Sequence, residues 1–327
     1  MDIIGIGALN LDFIYEVEDI SYVKVPGLDM EEGKEIIAHE EDFFTLKDKL
    51  NRFGTLKKVS PGGSASNTCH MLGLMGFRVG VVGILGEDRE GAFYLKQLVC
   101  EDTRGIIRKG KTGIAYIINA NTRDRSIVVF PNSNSDIDMA SVDMELLSRA
   151  RWVHMSSFVS DTALAMQVDI KKILSGNVKV SVDPGELYAR LGKKVYPLLE
   201  GTDMLFISEK EITILFGMDL QDAVRQALDM VRIVVVKRGK EGASLFTKKE
   251  EYHTHAKKVA VVDNTGAGDV FNGVCIGCYM NNVKLSTMLH AATTAASLST
   301  RGFGRDGYPR KEDIVLLKEE KQTEEGL

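Results

Sequence analysis

The chain has 327 residues, 44% of them hydrophobic, so it can bury a large core in one α/β domain with a smaller appendage. Its net charge of −5 and pI near 5.8 argue against nucleic acid or an anionic membrane as the main partner, because both require a basic face. Four cysteines, no apolar run of about 18 residues and no basic leader segment predict a cytoplasmic protein.

The first strand is predicted over residues 1–7, and Asn10 and Asp12 follow it. In α/β folds such positions collect ligand groups, and a carboxylate that accepts two hydroxyl hydrogen bonds suits a sugar. The alternative for Asp12 is a solvated turn. Gly5-Ile6-Gly7 also resembles the start of a dinucleotide fingerprint, but Asn10 stands where the third glycine belongs, which disfavours a nicotinamide or flavin oxidoreductase.

Two segments interrupt an otherwise regular α/β pattern. Residues 11–60 contain a β run at 13–17 and a helix with apolar residues at 43, 44, 46, 50 and 53 that Gly54 ends. Residues 112–130 contain β runs at 113–119 and 126–130, joined by a polar turn at 121–124. Together the two segments are predicted to form a small sheet that acts as a lid, which phosphoryl transfer needs in order to exclude water.

The segment Pro61-Gly62-Gly63-Ser64 opens a predicted helix with small residues, so a ligand can approach its backbone closely. Asn67 projects from the first turns of that helix. The alternative is an ordinary glycine turn in which Ser64 caps the helix.

Between residues 64 and 300, strand-like runs alternate with helical patterns, which predicts a parallel sheet wrapped by helices. The runs lie at 78–84, 152–155, 178–183, 204–208 and 233–237. Residues 105–112 match the letters of a P-loop, but they follow a helical pattern and lead into a β run, so we reject that assignment. Cys275 and Cys278 lie on a predicted helix without a second pair and are expected to be core thiols.

Charged residues follow two of these strands. Glu209 and Glu211 come after the run 204–208 and could hold a hydrated Mg²⁺, or they could simply begin a helix. The segment from Lys237 to Gly242 places cations and flexible backbone at the same edge, which suits the tail of a nucleotide; the alternative is a charged hairpin turn.

Residues 263–269 read Asp-Asn-Thr-Gly-Ala-Gly-Asp between a strand-like run at 259–262 and a helical run at 270–279. At a strand-to-helix turn, the amides of Gly266, Ala267 and Gly268 can converge on an anion, where the helix dipole adds positive charge. Asp269 would repel a bound phosphate, so its position is best explained if it takes a proton from an attacking hydroxyl. The alternative is a glycine turn closed by a capping Asp.

In this order, these motifs resemble the ribokinase-like carbohydrate kinases, also called the phosphofructokinase-B family, over nearly the whole chain. The anchors are Gly62-Gly63-x-x-x-Asn67 and Asp263-x-Thr265-Gly-Ala-Gly-Asp269. The resemblance implies a three-layer α/β/α fold with a central, mostly parallel sheet and a small β-rich lid. The nucleotide-binding domain would comprise residues 1–10, 61–111 and 131–317, the lid and acceptor segments 11–60 and 112–130, and a tail 318–327.

The resemblance also implies roles for single residues. Asp269 is the expected catalytic base, and the amides from Gly266 to Gly268, with Ala267 between them, form the anion hole. Four groups of positions then serve the acceptor (Asn10, Asp12, Gly62, Gly63, Asn67), the nucleotide (Ser208, Lys237, Gly239, Gly242, Thr265), Mg²⁺ through water (Glu211) and a monovalent cation such as K⁺ (Asp263, Thr265, Ser299, Gly302, Gly304). Two positions depart from the family pattern: Ser208 replaces an Asn, and Asn264 replaces a common Thr.

The acceptor and donor stay open at this point. Residues 27–54 resemble the insertion of adenosine kinases, which favours a nucleoside or another ribose-like acceptor. Arg104, Arg123 and Arg125 could instead clamp an acceptor that carries a phosphate. ATP is the expected donor, ADP is the alternative, and the exposed lid edge suggests a homodimer. A hypothesis of another class is a catalytically idle relative that senses a nucleoside or sugar.

Overall fold

A computed structural model of the protein describes residues 1–31, 33–120, 125–174, 176–310 and 312–313. The predicted tail 318–327, the turn 121–124 and Arg123 lie outside these residues. Within the described part of the chain, no helix combines the length and the apolar character needed to cross a bilayer.

The larger of two sheets has nine strands, in the order β14-β13-β12-β11-β10-β9-β1-β5-β6. The seven strands from β12 to β6 run parallel, and β13 and β14 extend the sheet as antiparallel strands. The strand bounds are β1 Ile3–Ile6, β5 Val79–Leu85, β6 Ile106–Arg108, β9 Trp152–Ser156, β10 Lys179–Asp183, β11 Thr202–Ser208, β12 Val231–Lys237, β13 Ala243–Phe246 and β14 Glu251–Thr254.

Helices cover both faces of this sheet, because its central strands are apolar on both sides. One buried cluster packs α2, α10 and α11 against one face of the sheet. A second cluster packs the helices from α5 through α9 against the other face. The helices are α1 Glu40–Phe53, α2 Ser64–Leu74, α3 Arg89–Lys96, α4 Met144–Ser148, α5 Asp161–Ile173, α6 Gly185–Ala189, α7 Tyr196–Leu199, α8 Glu209–Phe216, α9 Leu220–Met230, α10 Ala267–Met280 and α11 Leu285–Ser299.

The smaller sheet is the β-rich lid, with five strands in the order β3-β8-β7-β2-β4 and a core of its own that α1 helps to close. Its strands are β2 Asn10–Val17, β3 Glu35–Ile37, β4 Gly54–Pro61, β7 Gly113–Asn119 and β8 Arg125–Phe130. The chain enters the lid from β1 through residues 7–9 and returns through Pro61, Gly62 and Gly63 into α2. The junction of the two sheets therefore lies at the carboxyl ends of the parallel strands, where α/β proteins bind ligands.

Two local expectations turn out differently, and the rejection of a P-loop agrees with the structure. The predicted strand at 259–262 is wrong, because this segment has no ladder partner, and Val261 and Val262 are 60% and 48% exposed. In α1 only Leu46 and Leu50 are buried, whereas Phe44 and Phe53 remain exposed at the lid surface. Residues 105–112 contain β6 and a turn and open no helix, which agrees with the rejection of a P-loop.

The contact between α2 and α10 determines the position of the motifs that these helices carry. Gly273 of α10 lies so close to α2 that a Cβ there would be 2.9 Å from the Thr68 carbonyl oxygen and 2.9 Å from the Met71 Cβ. A Cβ at Gly277, one turn later, would instead meet only side-chain atoms, the flexible end of Met75 at 2.7 Å from its Cε and the Phe77 ring at 3.0 Å.

We predict that Gly273→Ala lowers the free energy of unfolding by roughly 1 to 3 kcal/mol, because the two helices must separate. The matched change Gly277→Ala should cost less, since Met75 can move and alanine favours the helix by about 1 kcal/mol. Urea denaturation of both variants measures the difference. Equal losses in the two variants would contradict the account of helix packing.

Candidate active site

Helix α10 begins at the junction of the two sheets and presents its N-terminus to the cavity there. Its N-cap, Gly266, adopts a left-handed conformation with φ of 75°. A Cβ on Gly266 would lie 2.4 Å from the Tyr308 hydroxyl oxygen, so both backbone conformation and space require glycine. Ala267 and Gly268 form the first turn, where the helix dipole favours an anion; the Ala267 amide also donates to the Asn264 carbonyl at 3.3 Å.

Asp269 follows in the same turn, and both of its carboxylate oxygens accept hydrogen bonds from α2. The Ser64 hydroxyl donates to Oδ1 at 2.6 Å, and the Asn67 Nδ2 donates to Oδ2 at 2.9 Å. Burial raises the pKa of Asp269, these two hydrogen bonds oppose the rise, and the net value is about 6. Such a carboxylate is ionised at neutral pH and can still accept a proton.

The alternative for Ser64, a capping role, is wrong. The N-cap of α2 is Gly63, with φ of 90° and no side-chain cap, and Ser64 donates to Asp269 instead. Gly63 must be glycine, because a Cβ there would be 2.0 Å from the Ala8 carbonyl oxygen.

Asp12, on lid strand β2, is 8% exposed and faces the same cavity. Its carboxylate lies directly against Gly62, where a Cβ would be 2.1 Å from Oδ1. Gly62 therefore makes room for Asp12. Burial raises the pKa of Asp12 to about 8, partly opposed by the charge of Arg305. No described residue donates a hydrogen bond to this carboxylate, so hydroxyl groups of a ligand can do so.

The cavity has a volume of about 200 Å³ and differs between floor and roof. The floor carries polar groups of Asn67 and Asp269, whereas Asn10 and Asp12 reach the cavity from lid strand β2; Asn10 is held by a 2.9 Å hydrogen bond from Asn134. The roof is the inner face of the lid sheet, where β7 and β8 contribute mainly apolar side chains: Ala115, Ile117, Ile127 and Val129.

Two charged lid residues, Glu35 and Arg125, also line this cavity. Arg125 donates to the side-chain oxygen of Asn264. Of the other arginines considered for an acceptor phosphate, Arg104 forms an exposed ion pair with Asp102 at 2.6 Å, so that assignment is wrong. Arg123 lies outside the described residues.

Lys237, at the end of β12, forms an ion pair with Asp183, at the end of β10, with 2.7 Å between Nζ and Oδ2. Strand β11 lies between these two strands. Asn272 of α10 donates to the same oxygen at 2.6 Å. Burial lowers the pKa of Lys237, but Asp183, Glu211 and Asp269 outweigh this effect and raise it. A Cβ on Gly268 would lie 3.5 Å from Nζ, so the ammonium group stands beside the amides at the start of α10.

The remaining residues assigned to the nucleotide lie along the same edge of the sheet. Gly239 and Gly242 have φ of 55° and 103° and shape the turn from β12 into β13. Ser208 is paired with Lys237 across β11 and β12 and caps α8.

The two acidic residues after β11 have different surroundings. The Glu211 carboxylate accepts a 2.7 Å hydrogen bond from the Ser208 amide. Glu209 instead forms an ion pair with Arg238 at 3.1 Å. No cluster of three or more acidic, His or Cys residues suited to a metal occurs within the described residues.

The expected monovalent-cation residues surround Asp263, which is 2% exposed. Its Oδ1 accepts from the Thr265 amide and hydroxyl at 3.0 and 2.7 Å, and its Oδ2 accepts from the Gly304 amide at 3.0 Å. The Ser299 hydroxyl donates to the Ala296 carbonyl and so does not reach Asp263. Asp263 thus holds the loop before α10 to the loop after α11.

Sequence reasoning missed Asp183 and Glu35 as residues of this cavity, and it also missed Arg305 beside Asn67. Asp183 ends a predicted strand, so the rule that pointed to Asp12 could have found it. Glu35 and Arg305 reach the site only because the lid closes over it and the chain returns after α11. No local pattern marks either residue.

Comparisons with known proteins find related sequences and a similar fold. A sequence model of the pfkB family of carbohydrate kinases matches residues 34–308. An uncharacterized sugar kinase of Archaeoglobus fulgidus is 30% identical over 250 residues, which cover 74% of this chain and 99% of that protein. An ATP-dependent ribose-1-phosphate kinase of Halopiger xanaduensis is 27% identical over 270 residues, covering 81% of this chain and 88% of the relative.

Among solved structures, adenosine kinase from Sinorhizobium meliloti superposes with a TM-score of 0.85 at 18% identity, covering 98% of each chain. At this identity the superposition establishes the fold, a ribokinase-like α/β sheet with a second small sheet.

We predict that Lys237→Met lowers the free energy of unfolding by roughly 3 to 5 kcal/mol, because it leaves the buried Asp183 carboxylate without its counter-ion. Adding Asp183→Asn should restore part of the loss, since the amide needs no counter-ion. Chemical denaturation of the two single variants and the double variant forms the cycle. Losses that simply add would show that the two side chains are not coupled.

Proposed function

The chain belongs to the pfkB family of carbohydrate kinases and is a phosphotransferase with an alcohol acceptor, and we propose that it transfers the terminal phosphoryl group of ATP to a hydroxyl of a ribose-like sugar or nucleoside. The observation that carries this proposal is the Asp269 carboxylate, with a pKa of about 6, in the first turn of α10 and on the wall of the cavity that Asp12 also lines. ADP is the alternative donor.

In the proposed reaction, acceptor hydroxyls donate to Asp12, and the reacting hydroxyl lies against Asp269. As its oxygen forms a bond to the γ-phosphorus, its proton moves to Asp269, and the bond from that phosphorus to the oxygen of the leaving ADP breaks. Ser64 and Asn67 hold the carboxylate for this transfer. The intact arrangement argues against a catalytically idle sensor.

Charge on the transferred group is stabilised by preorganised donors in this scheme. The amides from Gly266 to Gly268 lie at the start of α10, and the Lys237 ammonium lies beside them. Positioning and electrostatics of this kind supply most of the catalysis in phosphoryl transfer. Mg²⁺, if bound with the nucleotide near Glu211 and Asp183, would neutralise phosphate charge.

Binding of K⁺ near Asp263 is also part of the proposal, although both oxygens of that carboxylate already accept hydrogen bonds from the protein. Activity measured in potassium chloride and in choline chloride tests this point. A homodimer formed through the lid stays a prediction. Analytical sedimentation measures the oligomeric state.

The cavity supports a ribose-like acceptor. Asp12 can accept hydrogen bonds from sugar hydroxyls, the Asn67 amide group can donate to one, and the apolar roof of β7 and β8 suits the flat face of a base or a sugar ring. The structural similarity to an adenosine kinase is compatible with a nucleoside acceptor.

A second candidate acceptor is a sugar phosphate, which Arg125 favours. Its side chain lines the cavity, and no carboxylate of the described residues forms an ion pair with it. Guanidinium groups bind phosphates in bidentate fashion. The relative from Halopiger xanaduensis, named as a ribose-1-phosphate kinase, points the same way.

We predict that Asp269→Asn lowers kcat by roughly 10² to 10⁴-fold, with little change in ATP binding, because the amide cannot take the proton. In the parent protein, kcat/KM should fall below about pH 6, as protonation of Asp269 removes the base. Activity from about pH 5 to about pH 8 measures this limb. An active Asp269→Asn variant with an unchanged pH profile would refute the proposed base.

The two acceptor candidates are separated by measuring kcat/KM for nucleosides, ribose and ribose phosphates. For a sugar-phosphate acceptor, Arg125→Met should lower kcat/KM roughly 10 to 100-fold, because a charged hydrogen bond contributes about 1.5 to 3 kcal/mol. For a nucleoside the effect should be small. Arg104→Met, which removes a surface arginine, is the matched control and should leave both values unchanged.

A further inference from the structure

Arg305 lies behind the wall of the cavity, in the short 3₁₀ helix Gly304–Gly307 that follows α11. Its Nε donates to the Asn67 Oδ1 at 2.9 Å, and its Nη2 donates to the Ser66 Oγ at 2.9 Å. Asn67 is 6% exposed and Ser66 1% exposed, so both hydrogen bonds are shielded from water. Arg305 therefore contacts α2 at the turn that holds Asp269.

The contact with Asn67 determines which way its amide faces. Arginine is only a donor, so it donates to the oxygen of the amide and cannot accept from its nitrogen. With Oδ1 held by Arg305, the Nδ2 group points to Asp269 and donates to its Oδ2 at 2.9 Å. A flipped amide would place a donor against Arg305 and an oxygen against the Asp269 carboxylate, and both contacts would be repulsive.

Arg305 is itself held in place. Ser66 Oγ lies 2.6 Å from the Tyr94 hydroxyl, which donates to the Gly62 carbonyl at 2.7 Å. The Tyr94 ring lies under the guanidinium group, 5.8 Å from Cζ. A chain of hydrogen bonds thus runs from Arg305 through Ser66 and Tyr94 to Gly62, which packs against the Asp12 carboxylate. Hydrogen bonds within such a chain strengthen one another.

We propose that Arg305 is a positioning residue of this enzyme: it fixes the orientation of Asn67 and through it the Asp269 carboxylate. The proposal rests on the proposed role of Asp269 as the base. Arg305 forms no hydrogen bond with Asp269 itself, so its effect on the reaction passes through Asn67.

Loss of this contact has a specific consequence for acidity. The hydrogen bond from Asn67 lowers the pKa of Asp269 against the effect of burial, so a freely rotating Asn67 lets that pKa rise. The charge of Arg305 acts mainly on Asp12, whose pKa it lowers. The other charged or titratable groups around Asp269 are Asp183, Lys237, Asp263, Glu35, Arg125 and Tyr308.

The test is a double-mutant cycle of Arg305→Met and Asn67→Ala in the full-length enzyme. Methionine keeps the packing over Tyr94 and removes the donors. We expect Arg305→Met alone to lower kcat roughly 10 to 100-fold, as misplacement of a catalytic group does, with an unchanged KM for ATP and an acid limb shifted to higher pH. In the Asn67→Ala background the same change should lower kcat less than about two-fold.

An equal loss in both backgrounds, or an unmoved acid limb, overturns the proposal, because Arg305 would then act independently of Asn67. Arg310→Met, an exposed arginine in the same segment, is the matched control and should keep full activity. If Arg305→Met does not fold by thermal melting, Arg305→Lys carries the same cycle with a smaller expected loss. Asp269→Asn assayed alongside separates the positioning role of Arg305 from the role of Asp269 as the base. An active Asp269→Asn variant refutes the role of Asp269 itself.

Discussion

The rest of the site depends on one constraint: a carboxylate at the start of a helix must stay ionised while protein surrounds it. Burial raises the pKa of Asp269, and the hydrogen bonds from Ser64 and Asn67 oppose that rise, so that its pKa is about 6. Both donors belong to α2 and the carboxylate belongs to α10. The close packing of these two helices, through residues such as Gly273, is therefore also a condition of the proposed chemistry.

The two buried carboxylates of the cavity, Asp183 and Asp12, differ in how their charge is compensated. Asp183 is neutralised by Lys237 beside the start of α10, at the end where a nucleotide phosphate would lie. Asp12 has no such partner among the described residues and is affected only at a distance by Arg305. An unpartnered buried carboxylate is costly, and hydroxyl groups of an acceptor relieve that cost. The lid adds an apolar roof that keeps water from both groups.

The lid is a separate sheet that short connections join to the main sheet. Strand β2 follows β1 after three residues, and β4 leads straight into α2. Gly62 and Gly63 thus connect the lid to α2, and no side chain fits at either position. Any movement of the lid relative to the sheet acts on Asp12 and on the first turn of α2 together.

Local patterns in the sequence determined the α/β class, the lid segments, the helix of α10 and the pairing of glycines with Asp269, because strand and helix periodicity and turn chemistry act over a few residues. They failed at 259–262, where valines are exposed in a loop, and at Ser64, which resembles a helix cap but donates to Asp269. Only the tertiary structure decided that Asp183 pairs with Lys237 and that Arg305 holds Asn67, since these partners lie 54 and 238 residues apart. Contacts at such separation follow from the order of strands and the return of the chain, which no local pattern records.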